Sequence, residues 1–255
     1  MTPRRGRVSD VADRFTAAYE VLELLGRPPE LPPMPSVRPD TKRFVDQGRQ
    51  LAEDAVGVLT AAEGHRTVAG PETDVLITAC TRMFGVDVAV TCLPAAVDGL
   101  TWRTDAFRLV LIGPTKTWTR QRFTLAHELG HILARDAQEL VVESHVAPGR
   151  QKDLTEVRAN VFAANPLMPA PEIRDRFRQV ADGHGRLTAE AFSELVVAFK
   201  VSPSALSARL GQLRPVAPRG GDRRGSCHGW NRQRPSETTS TSPSLTRTAV
   251  SSSRK

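Results

Sequence analysis

The chain has 255 residues, 40% apolar and 25% charged, a composition that suits a folded globular protein and argues against a fibrous or wholly disordered one. It holds no run of apolar residues long enough for a membrane span, and no apolar segment follows the basic N-terminus, so neither a span nor a secretory leader is expected. The net charge of +7 lies entirely in residues 214–255, where nine basic side chains face only Asp222 and Glu237, so the charge does not make the body of the protein a nucleic-acid binder.

Val11, Phe15, Ala18, Leu22 and Leu25 recur at helical spacing behind Ser9, a potential N-cap, and Gly26 with Pro28 ends the run. Six prolines between Pro28 and Pro39 predict an extended connector, and the periodicity leaves open whether the first helix packs on the body. A helix is predicted from Phe44 to about Ala62 and another from Asp74 to Phe84, closed by Gly85. Three strand-like runs follow, Val86–Leu93, Leu100–Thr104 and Phe107–Ile112, and the short links predict an antiparallel meander. Helical patterns return at about Thr119–Ala134 and Thr155–Leu167, then in shorter segments to Leu213. Half of residues 214–255 are Ser, Thr, Pro or Gly, a composition that predicts a disordered basic tail. The division expected is 1–40, a helix and connector; 41–213, the main domain; and 214–255, the tail. Cys80, Cys92 and Cys227 form no CxxC pair, which points to a reducing, cytoplasmic setting.

The chemistry is concentrated in Arg122-Phe-Thr-Leu-Ala-His127-Glu128-Leu-Gly-His131. Residues four apart share one face of a helix, so His127 and His131 can aim both imidazoles at one metal ion. Glu128 stands about 100° round the helix, where it can act as a base without being a ligand. Chance yields this pattern in roughly 0.01 of chains of such composition, too seldom to explain it. A catalytic zinc site commonly takes three protein ligands and a water. The downstream candidates are Glu139, Glu143, His145, Asp153 and Glu156. Glu156 is favoured, because it opens a small-residue helix, Glu156-Val-Arg-Ala-Asn160-Val-Phe-Ala-Ala164, able to pack closely on the first. Asn160, one turn on, can orient that carboxylate or serve only local packing.

The segments from Arg122 to His131 and from Glu156 through Ala-Asn160-x-Phe-Ala-Ala164 to Leu167-Met168-Pro169 resemble the ImmA/IrrE family of zinc metallo-endopeptidases. The resemblance covers about residues 41 to 213. The elements read above predict an α+β fold: a small three-stranded antiparallel sheet, a zincin-like active-site helix and a helical second half. The resemblance implies one Zn2+ per chain on His127, His131 and Glu156, with Glu128 as catalytic glutamate. The substrate implied is a helix-turn-helix transcriptional repressor, cut at a specific site to induce stress-response or mobile-element genes. Asn165 stands where the family often has an acidic residue, an expected change in surface polarity only. In this mechanism zinc activates a water, Glu128 takes its proton and passes it to the leaving amine, and a second oxyanion donor is sought in His145, His184 or an arginine.

Two further features bear on partners. Phe199–Leu210 resembles the second half of a helix-turn-helix, with Ser202 as N-cap and Pro203 at the first helical position, although direct DNA binding is not expected. Strand Phe107–Ile112 is a candidate edge for an extended peptide substrate. The rival class is a non-proteolytic regulatory protein that binds a repressor or DNA through a peptidase-like fold.

Overall fold

The computed structural model describes residues 5–63, 73–94, 97–115, 117–136, 154–182 and 185–214. Helix α1 spans Arg5–Leu24, so it begins before Ser9, which lies within it and not at its cap. Helices α2 (Phe44–Glu63) and α3 (Thr73–Phe84) follow as their periodicity predicts. Gly85, at φ 58°, turns the chain out of α3 into β1 (Val86–Val90). Next come β2 (Gly99–Arg103), β3 (Arg108–Ile112), α4 (Trp118–Ala134), α5 (Leu154–Leu167), α6 (Ala170–Val180), α7 (Ala189–Phe199) and α8 (Pro203–Leu213). The α+β class stands, with a three-stranded sheet and a helical second half.

The sheet corrects the expected meander. Its order is β1-β3-β2, with β1 parallel to β3 and only β2 antiparallel to it. Strand β2 takes the far edge of the sheet, and the turn at Thr104–Phe107 then brings β3 back between the other two. Strand β3 is therefore central and paired on both sides, so Phe107–Ile112 is not an edge for a peptide. Its composition gives the reason: Arg-Leu-Val-Leu-Ile is apolar on both faces, as suits a strand covered twice. Val110 and Ile112 enter the main core with α2, α3, α4 and α5, whereas Leu109 and Leu111 face the other way with Phe107.

That second face is covered by α1 through Val11, Phe15 and Tyr19. Tyr19 stacks on Phe107 at 5.0 Å, and its hydroxyl donates to Asp87 of β1. The proline-rich connector forms neither helix nor strand over residues 27–38 and is held to the body. Gln50 donates to Ser36 O and accepts from Arg38 N, both at 3.1 Å, while Arg108 donates to Pro32 O at 2.9 Å.

Helices α7 and α8 are joined by Lys200, Val201 and Ser202, with Lys200 at φ 52°. Ser202 Oγ caps α8 by accepting from Ala205 N at 3.2 Å, and Pro203 is the first helical residue, as predicted. Arg209 of α8 points inward, donating to Met168 O at 3.0 Å and to Asn165 Oδ1 at 2.7 Å. Asn165 thus ties α8 to the end of α5, so its effect is on helix packing and not on surface polarity alone. Among the described residues no helix is long and apolar enough to cross a membrane.

Candidate metal centre

Helix α4 buries Leu125, Leu129, Ile132 and Leu133 in the core, which turns His127 and His131 toward α5. The two helices approach closely because small residues meet there. A methyl on Gly130 would lie 3.0 Å from Phe162, and Ala159 and Ala163 are fully buried on α5. This approach delivers Glu156, in the first turn of α5, to both histidines. His127 Nε2 lies 3.2 Å from Glu156 Oε2, His131 Nε2 lies 3.2 Å from Glu156 Oε1, and the two Nε2 atoms are 3.1 Å apart.

Three ligand atoms that share one tetrahedral zinc at 2.0–2.1 Å stand about 3.3 Å from one another. The observed spacings fit that requirement. Among the described residues, His127, His131 and Glu156 are the group of potential ligands whose atoms converge, all within 4.8 Å. Two imidazole nitrogens and one carboxylate oxygen leave a tetrahedral ion one open position, the arrangement of a catalytic site and not of a closed structural one.

The site includes a residue that no motif announces. Arg135 ends α4 at φ 56°, and the reversal places Asp136 beneath the helix end, with its N–H on His131 O at 3.2 Å. Asp136 Oδ2 then accepts from His131 Nδ1 at 2.8 Å, so Nε2 is the nitrogen presented to a metal. Asp136 is held in turn by Arg158 of α5, which also donates to Gln47 of α2 at 2.8 Å and stacks over Phe44 at 5.0 Å. Two residues after Glu156, the same helix therefore orients a histidine on α4. The signal in the sequence was faint: an acid just beyond the helix terminus, five residues after His131.

Electrostatics follow from these contacts. Burial opposes the charge on His131, but its bonds to Asp136 and Glu156 prevail and hold its pKa up at about 10. Hydrogen bonds from His127 and His131 hold Glu156 well below the usual carboxylate range. Glu128 is 9% exposed, and burial pushes its carboxyl above the ordinary value, against the pull of the two histidines. Glu128 makes no part of the converging triad. Asn160 lies exposed on α5, one turn after Glu156. Glu139, Glu143, His145, Asp153 and His184 lie outside the described residues, as does the segment beyond Arg214.

Residues 84–211 match the family model of the IrrE N-terminal-like domain, Peptidase_M78, which spans the sheet, both site helices and nearly all of α8. The chain belongs to the IrrE N-terminal-like family. Within this family it is 34% identical over 174 residues to the radiation response metalloprotease IrrE of Deinococcus radiodurans. That match covers 66% of this chain and 46% of the relative, so the chain spans less than half the relative's length. A Mycobacterium tuberculosis transcriptional regulator of solved structure aligns at a TM-score of 0.45 and 18% identity, over 66% of this chain and 49% of that one, too distant a likeness to bear on function.

Proposed function

We propose that the IrrE N-terminal-like domain of this chain is a zinc-dependent endopeptidase, and that its substrate is a helix-turn-helix transcriptional repressor in the cytoplasm. The observation that carries the reading is the convergence of His127, His131 and Glu156 at 3.1–3.2 Å beside a buried glutamate that is not one of them. One Zn2+ would be held by those three residues, with Asp136 fixing the His131 tautomer. Bound there, zinc supplies polarisation of a peptide carbonyl and acidification of a water.

The remaining work falls to Glu128. Burial raises the Glu128 carboxyl above its ordinary value, which makes it a stronger base than a carboxylate in water. Its carboxylate accepts a proton from the attacking water and returns it to the departing amine nitrogen. An extended peptide would lie along β2, whose outer side carries no partner strand among the described residues and which packs against α4. The repressor substrate is supported by the resemblance of residues 122–131 and 156–169 to proteases of such repressors.

The test uses the full chain, with zinc measured per chain in wild type, His131→Ala and Glu156→Ala, followed by incubation with helix-turn-helix proteins encoded beside its gene. About one zinc in the wild type and a large loss in both variants is expected. Glu128→Gln should keep the metal and lose cleavage by about 1,000-fold or more. A wild type that binds no zinc, or a Glu128→Gln chain that cuts as well as wild type, overturns the reading in favour of a non-proteolytic binder.

A further inference from the structure

Glycine is a poor strand residue, since it has no side chain to pack and loses much backbone freedom on ordering. Gly99 nevertheless opens β2, and it is not among the residues with positive φ, so backbone geometry does not require it. What requires it is space. A methyl group there would lie 2.6 Å from Glu128 Oε1, 2.6 Å from Thr124 Cγ2 and 2.7 Å from Glu128 Cγ. Carbon contacts are comfortable only near 3.5–4.0 Å. The Glu128 side chain therefore occupies the place where any other residue would put its β-carbon. Thr124, one turn earlier on α4 and itself buried, forms the side of the same slot.

We propose that Gly99 is a positioning residue for Glu128: the side chain absent from β2 makes the slot that fixes where the proton-carrying carboxylate stands. The proposal rests on the reading of Glu128 given above. Of the three atoms nearest the missing methyl, two belong to the Glu128 side chain and one to Thr124. The slot thus acts first on the base, and a substitution there displaces the base as well as straining the packing.

The experiment compares zinc-loaded full-length wild type, Gly99→Ala, the pair Thr124→Ala/Glu128→Ala, and the triple variant. Zinc content, melting temperature and cleavage of a fluorescence-quenched library of mixed peptides are measured for each. Gly99→Ala should keep one zinc, lower Tm by about 4 °C and slow cleavage about 100-fold, the cost of misplacing a reacting group by about an ångström. In the paired background the new methyl fills vacated space, so the same substitution should leave Tm unchanged or raise it. A Tm loss that persists there, or a Gly99→Ala chain that cleaves at the wild-type rate, overturns the proposal. A zinc-loaded wild type that cleaves no peptide and no repressor counts against the peptidase reading, and the slot is then judged by the melting cycle alone.

Discussion

The contact between α4 and α5 and the contact between α1 and the sheet are both apolar joints, and they are built in opposite ways. At α4–α5 the side chains are taken away: Gly130, Ala159 and Ala163 let two backbones approach until His127, His131 and Glu156 meet. At α1 they are added: Phe15 and Tyr19 lie against Phe107 and Trp102, and bulk fills the gap. A joint made by subtraction sets distances between polar atoms to fractions of an ångström, and one extra methyl disturbs it. A joint made by bulk excludes water and tolerates adjustment. The site has been placed on the first kind.

The contrast can be sharpened by substitutions that touch one joint and spare the other. The largest effect is expected at Asp136→Asn, which weakens the orientation of His131 while leaving all three ligands in place. Zinc affinity should fall 10- to 100-fold, read by competition with a chelator, while α1 and the sheet stay folded by circular dichroism. Next comes Gly48→Ala in a third joint, α2 on α5, built by subtraction like α4–α5; its new methyl would lie 2.6 Å from Arg158 O and 3.0 Å from Val161 Cβ. Overpacking there should cost about 1–3 kcal/mol, outweighing the roughly 1 kcal/mol that alanine gains over glycine in a free helix. Urea denaturation measures the difference, and equal or greater stability would show that α2 and α5 can separate freely. The smallest effect belongs to the bulky joint: Tyr19→Phe loses the hydroxyl bond to Asp87 and keeps the ring on Phe107, at a cost of about 1 kcal/mol by denaturation and none in zinc content.

How much of this was legible beforehand divides along the same line. The helical periods were plain, and the histidine spacing with Glu156 at the head of a small-residue helix named the converging groups, because both patterns are local. Asp136 was not legible, since its role depends on Arg135 reversing the chain at a helix end, and no motif encodes that turn. Strand order was missed for a related reason. The short link between Val86–Leu93 and Leu100–Thr104 reads as a connection between neighbours, and only the two-sided apolar run of Arg108–Ile112 hinted that β3 belongs in the middle. Gly99 carries no local signal of its use, which is the room it leaves for a glutamate nearly thirty positions later.

The aromatic cover on the sheet has a practical side. The matched family segment begins at residue 84, well after α1 and α2. A fragment cut at that boundary would lack Phe15 and Tyr19, as well as Leu51 and Ala55 of the main core. Phe107, Leu109 and Leu111 would then face water as a contiguous sticky patch, and association between copies would compete with folding. Anyone trimming this chain for crystallisation or screening should therefore keep the first helix and its proline-rich strap, because the region that family likeness marks out is smaller than the region that must fold.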